Sequence, residues 1–496
     1  PYFLALLAWV TGSSVFWAKL LQVLVCFGTV FFLYRLAERL FGDKVALLAG
    51  LMYAFYGTLV LYETLFLIPV VFVFFLVWGM YRVVAYRDSH KFLAWLLTGL
   101  VFGLAAVSRP NVLLVIPFLM IWLFAVRRET QSFVACLKRP VALFLGVALA
   151  ISPVTVRNAL VTGDFILISS QGGVNLYLGN NPTANGLYMV MPEAELDESL
   201  SWRDFIPLTK TIAEKEAGHE LSAAEQSAFW TGKAVSFITD NPGKFLGLVW
   251  KKTVYLLSGF ENSDNMDVYH ERTKSNLYAI LLWSKPLYFP FGLLLPLAIA
   301  GVYIRRKDTR LLTPLYVFTI AYVPSIVLFL VTARHRLPLA PFLIVIAAAG
   351  IVGLVQRWQR IRKKDGLIAI VMFVIALLLF NRTFYEAGGS NVFQIHFNNG
   401  IKYERLGDYV SAEREYRLAD QEYPYSAALV NNLAHAQYQL GRFEEADRNF
   451  HRALALNPDY GRTYNNLGLL VRDRGSLDSA ATLFRMAVHR YDTTGG

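Results

Sequence analysis

Charge and cysteine are both scarce in this sequence. Of 496 residues only 17% are Asp, Glu, Lys or Arg, against about 25% in ordinary soluble domains. Hydrophobic residues make up 55%, and the mean hydropathy is +0.42. A single soluble globule is therefore excluded, and a polytopic membrane protein is the default reading. The two cysteines, Cys26 in an apolar run and Cys136 beside Lys138-Arg139, exclude a disulfide framework and lack metal-ligand spacing. An initiator Met, a basic n-region and a signal peptide are also missing, because the chain opens on Pro1-Tyr2-Phe3-Leu4. No P-loop, dinucleotide fingerprint, zinc-ligand cluster or serine-triad motif occurs. No cofactor is assigned, and a divalent cation stays open as the alternative.

What the sequence does have is hydrophobic length. A hydrocarbon core of about 30 Å needs roughly 20 apolar residues in a helix. Ten candidate segments meet that need, at 17–35, 44–62, 64–81, 92–107, 111–126, 139–156, 287–304, 311–332, 337–355 and 366–381. The formal net charge of +11 then reads as topology rather than as affinity for nucleic acid, since Lys and Arg collect in cytoplasmic loops. Alternate connections carry Arg35, Arg39 and Lys44; Arg82, Arg87 and Lys91; Arg127, Arg128, Lys138 and Arg139; Arg305, Arg306, Lys307 and Arg310; and Arg357, Arg360, Arg362, Lys363 and Lys364. The other connections hold Glu63, Ser108-Arg109-Pro110 and Arg334-His335-Arg336, and are expected outside together with the long loop 157–286 and everything after 381. This orientation puts Pro1 outside, so at least one earlier span is expected.

The stretch Phe245 to Leu257 is not counted as a span. Lys251 and Lys252 stand in its middle, where each would cost on the order of 3 kcal/mol in a bilayer. It reads as an interfacial helix whose lysines snorkel towards lipid headgroups.

From Phe393 the composition turns polar and a period of 34 residues appears: Gly407, Gly441 and Gly475; Ala412, Ala446 and Ala480; Tyr416, Phe450 and Phe484; Ala419, Ala453 and Ala487; Pro424 and Pro458. The pattern resembles the tetratricopeptide repeat in three units, 393–426, 427–460 and 461–494. Small residues let paired helices approach, and the aromatic fills the space between repeats. Such stacks bind peptides or proteins. The bland alternative is that they only cap or dimerise the membrane domain. The predicted fold is all-α: a polytopic transmembrane helical bundle of about ten spans over 1–385, followed by an α-solenoid over 393–496.

Polar residues at helix ends are the remaining place for chemistry. Glu63 between two spans, Ser108-Arg109-Pro110, Ser152-Pro153 to Arg157-Asn158, Gly163-Asp164-Phe165, Ser169 to Gly173, and Asn175 to Pro182 through Asn185-Gly186 follow one another in an order that resembles the C-type (GT-C) integral-membrane glycosyltransferases related to protein O-mannosyltransferases and the RgtA-like enzymes. Arg334-His335-Arg336-Leu337-Pro338 with Pro341 is similar to that family's later arginine-proline element.

The resemblance implies a polyprenyl-phosphate sugar donor, used on the external face of the cytoplasmic (inner) membrane, and a glycan, lipid or protein acceptor. A phosphate leaving group is stable as an anion and needs cations more than a general acid. Arg109, Arg157, Arg334 and Arg336 are the candidates, through bidentate guanidinium contacts. The acceptor hydroxyl needs a carboxylate base. In the family that acid lies in a first external loop expected to precede Pro1, which leaves Glu63 as the candidate on the correct face; its plain reading is an interfacial carboxylate.

Arg109 and Arg157 read equally as helix anchors, His335 and the Asn180-Asn181-Pro182 turn as structural. Glu261, Asp264 and Asp267 read as a solvated acidic face, with a divalent-ion or sugar contact as the alternative. The repeat domain is expected on the periplasmic side, recruiting a protein partner. Rival readings are a non-catalytic membrane scaffold of envelope assembly and a polymerase or ligase of lipid-linked oligosaccharides.

Overall fold

The computed structural model describes residues 2–66, 68–126, 133–186, 202–262, 268–356, 363–382 and 392–494. Arg127, Arg128, Arg357, Arg360, Arg362, Asp264 and Asp267 lie outside the described residues. The chain divides into two compact units, one of residues 1–190 with 222–384 and one of residues 191–221 with 385–496.

Among the described residues all regular structure is helical apart from one isolated bridge between Trp283 and Phe289. The first unit opens with α1 (Tyr2–Thr11), α2 (Val15–Phe41), α3 (Asp43–Ala54), α4 (Gly57–Glu63), α5 (Ile68–Tyr86), α6 (Phe92–Ser108), α7 (Val115–Ala125) and α8 (Phe133–Thr162). The stretch expected outside the membrane holds α9 (Gly172–Gly179), α10 (Trp202–Ala217), α11 (Ala223–Asp240), α12 (Pro242–Leu257), α13 (Val268–Glu271) and α14 (Asn276–Leu281). Of these, α10 falls in the second unit. Then come α15 (Phe291–Ile304), α16 (Thr309–Val327), α17 (Ala333–Arg336), α18 (Ala340–Gln356) and α19 (Lys363–Phe380).

Each of the ten apolar segments contains helix, but they are unequal in length. Five are long and apolar enough to cross a membrane: α2, α5, Cys136–Thr162 of α8, α16, and the run Ala333–Gln356. The pair α3 and α4, bent by 60°, makes a sixth if it counts as one span. α6, Pro110–Ala125 and α15 are apolar but shorter, and α19 opens on Lys363, Lys364 and Asp365. Among the described residues length and composition alone single out five or six spans, against the expected count of about ten.

Lipid tails are as apolar as leucine, so close packing rather than water exclusion must hold such helices together. α6 and α8 run parallel and meet through glycine. A Cβ on Gly99 would stand 2.0 Å from the Leu143 carbonyl oxygen, and one on Gly103 2.5 Å from the Ala150 Cβ. Close approach through glycine recurs at the bend between α3 and α4. Gly57 follows it, and a side chain there would meet the Leu281 carbonyl at 2.1 Å. Phe72, Phe318, Tyr322 and Phe342 are fully buried at the centre, with Phe318 and Phe342 ring centroids 4.5 Å apart.

The helix directions sort the polar residues into two ends. Arg82 on α5 donates from Nε to Thr98 Oγ1 of α6 at 3.2 Å, so α5 and α6 are antiparallel. Arg139 at the start of α8 donates to the carbonyls of Arg87 and Leu123, both at 3.0 Å. Three basic-loop residues thus share one end. Arg109, closing α6, and Arg157, near the close of α8, stand at the other.

In the second unit the helices pair as the period requires: α20 (Val392–Arg405) with α21 (Tyr409–Glu422), α22 (Ala427–Gln439) with α23 (Phe443–Leu456), and α24 (Gly461–Asp473) with α25 (Leu477–Thr494). Gly407, Gly441 and Gly475 occupy the three intra-pair turns with φ of 75°, 75° and 88°, a conformation that disfavours any Cβ. Tyr416 and Phe450 are wholly buried, among Ala412 and Ala419 in one pair and Ala446 and Ala453 in the next.

Candidate active site

Pro110 starts the construction of the site. The residue before a proline is pushed out of the helical region, and Arg109 is extended at φ −146°, ψ 109°. Helix α6 therefore stops at Ser108, and Pro110 opens a short 3-10 turn, Pro110–Leu114. The guanidinium of Arg109 leaves the helix line, donates from Nη1 to the Arg334 carbonyl at 3.2 Å, and lies 5.9 Å from the Phe72 ring centroid. Two sequence-predicted arginines, 225 residues apart, are thereby brought together.

Beside them Asn111 donates its amide to Tyr322 Oη and Ser325 Oγ, both at 3.3 Å. Its Oδ1 is buried and has no hydrogen-bond partner among the described residues. A buried acceptor in that state calls for an explanation, and the amide turned over supplies one, since its oxygen then accepts from the Tyr322 hydroxyl. His335 Nδ1 sits 2.7 Å from Thr332 Oγ1, which orients the ring within the same turn.

Arg336 is employed differently. It is 3% exposed, and its terminal N–H groups reach the carbonyls of Leu256, Ser258 and Phe260 and Oε2 of Glu261, the last at 2.7 Å. Its guanidinium also covers the Phe291 ring at 3.7 Å. Glu261 itself is 2% exposed and accepts from Thr58 Oγ1 at 3.1 Å. The expectation of a solvated acidic face thus fails for Glu261, because Arg336 and Thr58 replace its water. This pair ties the loop after α12 to α4 and α17. The Ala333 N–H to Asn262 carbonyl bond, at 2.7 Å, reinforces the tie.

Glu63, closing α4, is half-buried. Its Oε1 accepts from Tyr53 Oη at 3.1 Å, and its backbone carbonyl accepts from Gln22 Nε2. Arg157 is exposed, with a bond from Nη1 to Asn158 Oδ1 at 3.3 Å. Among the described residues no three His, Cys, Asp or Glu side chains come together as metal ligands.

Lys251 and Lys252 part company. Lys251 is exposed, whereas Lys252 is completely buried and donates to the Gly179 carbonyl at 2.7 Å and to Asn180 Oδ1 at 3.2 Å. Burial pushes its ammonium down to about 7. The snorkelling expected of Lys252 is thus overturned, since its helix turns it inward. The signal was present in the spacing: Leu248, Lys252 and Leu256 recur every fourth residue and form the buried face of α12.

Comparison with known proteins agrees with the two ends of the chain. Residues 1–156 match the family described as dolichyl-phosphate-mannose-protein mannosyltransferase. Residues 431–493 match the tetratricopeptide repeat. Among curated proteins none matches. The chain is thus similar to the dolichyl-phosphate-mannose-protein mannosyltransferase family over its N-terminal part and to the tetratricopeptide repeat near its C-terminal end.

Proposed function

We propose that the protein is a membrane glycosyltransferase that moves a sugar from a polyprenyl-phosphate carrier to an acceptor on the external face of the cytoplasmic membrane. The observation that carries this reading is the bond from the Arg109 guanidinium to the Arg334 carbonyl, which brings the two arginines together at one end of the bundle. The guanidinium groups of Arg109 and Arg334 stabilise the phosphate as it departs, and Asn111 supports the turn that carries Arg109 through Tyr322 and Ser325. Arg336, with its terminal donors committed to one loop and Glu261, holds the site's wall and is a positioning residue.

In the transfer the acceptor oxygen bonds to the anomeric carbon, the carbon–oxygen bond to phosphate breaks, and polyprenyl phosphate leaves with the electron pair. The acceptor proton passes to a carboxylate, for which Glu63 is the candidate. Its location favours the role: α5 follows directly, and Phe72 in that helix lies beside Arg109. The periplasmic repeat unit recruits a protein partner.

The test is turnover of a polyprenyl-phosphate sugar by the purified full chain. Arg109→Ala and Arg334→Ala are each expected to lower kcat about 10²–10³-fold, the usual effect of removing one donor to a developing anion. Absence of both hydrolysis and transfer in the wild type would sink the enzyme and favour a scaffold.

A further inference from the structure

The end of α4 is held by another helix. The last carbonyls of a helix have no partner inside it, and lipid offers none. Those of Val60, Leu61 and Tyr62 are met locally, by the N–H groups of Thr64 and Leu65 and by Thr64 Oγ1 at 2.7 Å. The next three are met by α2. Gln22 Nε2 donates to the Glu63 carbonyl at 2.5 Å and to that of Leu65 at 2.8 Å, and Lys19 Nζ donates to that of Thr64. Lys19 and Gln22 stand three residues apart, on one edge of their helix. Gln22 is 1% exposed, and the Lys19 ammonium also covers the Phe66 ring at 4.0 Å.

A polar pair in an apolar span is costly unless it serves something, and what this pair fixes is a residue that carries a carboxylate. Tyr53, at the end of α3, grips the other end of that residue, donating from Oη to Glu63 Oε1 at 3.1 Å. Glu63 is thus fixed at its backbone by α2 and at its carboxylate by α3. A second carboxylate touches α4, that of Glu261, which accepts from Thr58. Arg336 neutralises it at 2.7 Å, and a carboxylate so paired is a poor proton acceptor. Glu63 has a hydroxyl rather than a cation for its partner, and keeps its basicity.

We propose that Gln22, with Lys19, is a positioning residue for proton transfer from the acceptor. The two hold the Glu63 backbone so that its carboxylate keeps one place relative to α5, whose Phe72 lies beside Arg109. The inference rests on the glycosyltransferase reading and on Glu63 as its base, and adds what aims that base. The step itself is unchanged: the acceptor hydroxyl gives its proton to Glu63 as its oxygen bonds to the anomeric carbon, and neither Gln22 nor Lys19 bonds to a reacting atom. Aim matters because a base must stand within hydrogen-bond reach of the proton it takes, and a misplacement of about 1 Å can cost on the order of 10²-fold in rate. Losing the clamp therefore slows the chemical step and leaves donor binding, at Arg109 and Arg334, as it was.

A double-mutant cycle in the purified full chain separates aim from support. Glu63→Gln is expected to lower kcat about 10²-fold, and Gln22→Met about tenfold with KM for the polyprenyl-phosphate sugar unchanged. Met keeps the length of Gln but has no donor. In the Glu63→Gln background the same Gln22→Met change should leave kcat almost untouched, because no base is left to aim, while its effect on the unfolding midpoint stays the same in both backgrounds. Lys19→Met in the same cycle should repeat the pattern with a smaller loss, and Lys19→Arg, which keeps a donor for the Thr64 carbonyl, should recover most of it; this pair decides if Gln22→Met does not fold. Equal factors on kcat in both backgrounds, an unchanged kcat, or a loss carried by KM would reduce the clamp to a helix cap and overturn the proposal. Wild-type turnover shows which reading has failed. With turnover and additive losses the inference falls alone; without turnover the glycosyltransferase reading falls and takes the inference with it.

Discussion

The two units of this protein are built from the same element and handle charge in opposite ways. In the repeats, Arg417 bridges Glu413 and Glu445 at 2.8 Å each, Arg442 reaches Glu413 at 2.7 Å, and Arg452 reaches Asp420 at 2.7 Å. These arginines are about half exposed or less, and such pairs contribute roughly 0–1 kcal/mol each. In the membrane unit the pair Arg336–Glu261 is sealed from water on both sides. Its importance lies less in its own net energy than in what happens when one partner goes. Charge on the repeats is redundant; charge in the bundle is not.

Single substitutions should expose that difference. Arg336→Ala strands Glu261 in the interior and is expected to cost about 3–5 kcal/mol, read as a large fall in the unfolding midpoint of the detergent-solubilised full chain. The double change Arg336→Met with Glu261→Gln removes both charges and should recover much of the loss. Arg417→Ala, its counterpart in the repeats, should shift the midpoint little. Equal losses from Arg336→Ala and Arg417→Ala would break the comparison.

Changing pH separates the units without mutation. Lys252 binds its proton only below about 7 when folded, but up to about 10.4 in an unfolded chain. Between those values the unfolded state holds more protons. Stability of the bundle therefore rises with pH by at most about 1.4 kcal/mol per unit, and the penalty of burying the ammonium is complete below 7. The repeats respond at the acid end, where the same downward shift favours folding because it belongs to a carboxylate and not to an ammonium. Tyr438 and Arg472 hold the Asp473 carboxyl below its ordinary range, as Ser411 does for Asp408. That contribution is present above about 4 and is lost as pH falls through the lowered values. Unfolding midpoints of wild type and Lys252→Met from pH 7 to 10 are the check: the slope should vanish in the variant and persist in Lys251→Met.

The same contrast decides what could be read from the amino acids. Hydropathy located helices in all ten apolar segments, because lipid leaves the backbone no partner but itself. Span length was not legible, since Arg109-Pro110 and the bend before Gly57 shorten helices through local geometry and packing. The 34-residue period announced the repeats because each Gly marks a turn with positive φ. Partnerships were harder. Arg336 and Glu261 stand 75 residues apart and Arg109 and Arg334 stand 225 apart, and no local pattern links them. Lys252 lay between these cases: its four-residue spacing from Leu248 and Leu256 pointed inward, but its charge argued for water.

The turn glycines give the smallest and most local of these tests. A Cβ on Gly441 would meet nothing within 4 Å, so Gly441→Ala changes no packing and acts only through its φ of 75°. Left-handed backbone costs an L-residue about 1–2 kcal/mol, and Asn tolerates it better than Ala because its side chain bonds locally. Gly441→Ala should therefore speed amide exchange in α22 and α23, Gly441→Asn should do so less, and neither should alter α5 to α8. Gly99→Ala reverses the logic. Its backbone is ordinary helix, and the new methyl would drive into the Leu143 carbonyl, so Asn there must be worse than Ala. If the ranking of Ala and Asn were the same at both glycines, the bundle and the repeats would not be using glycine for the different reasons their geometry implies.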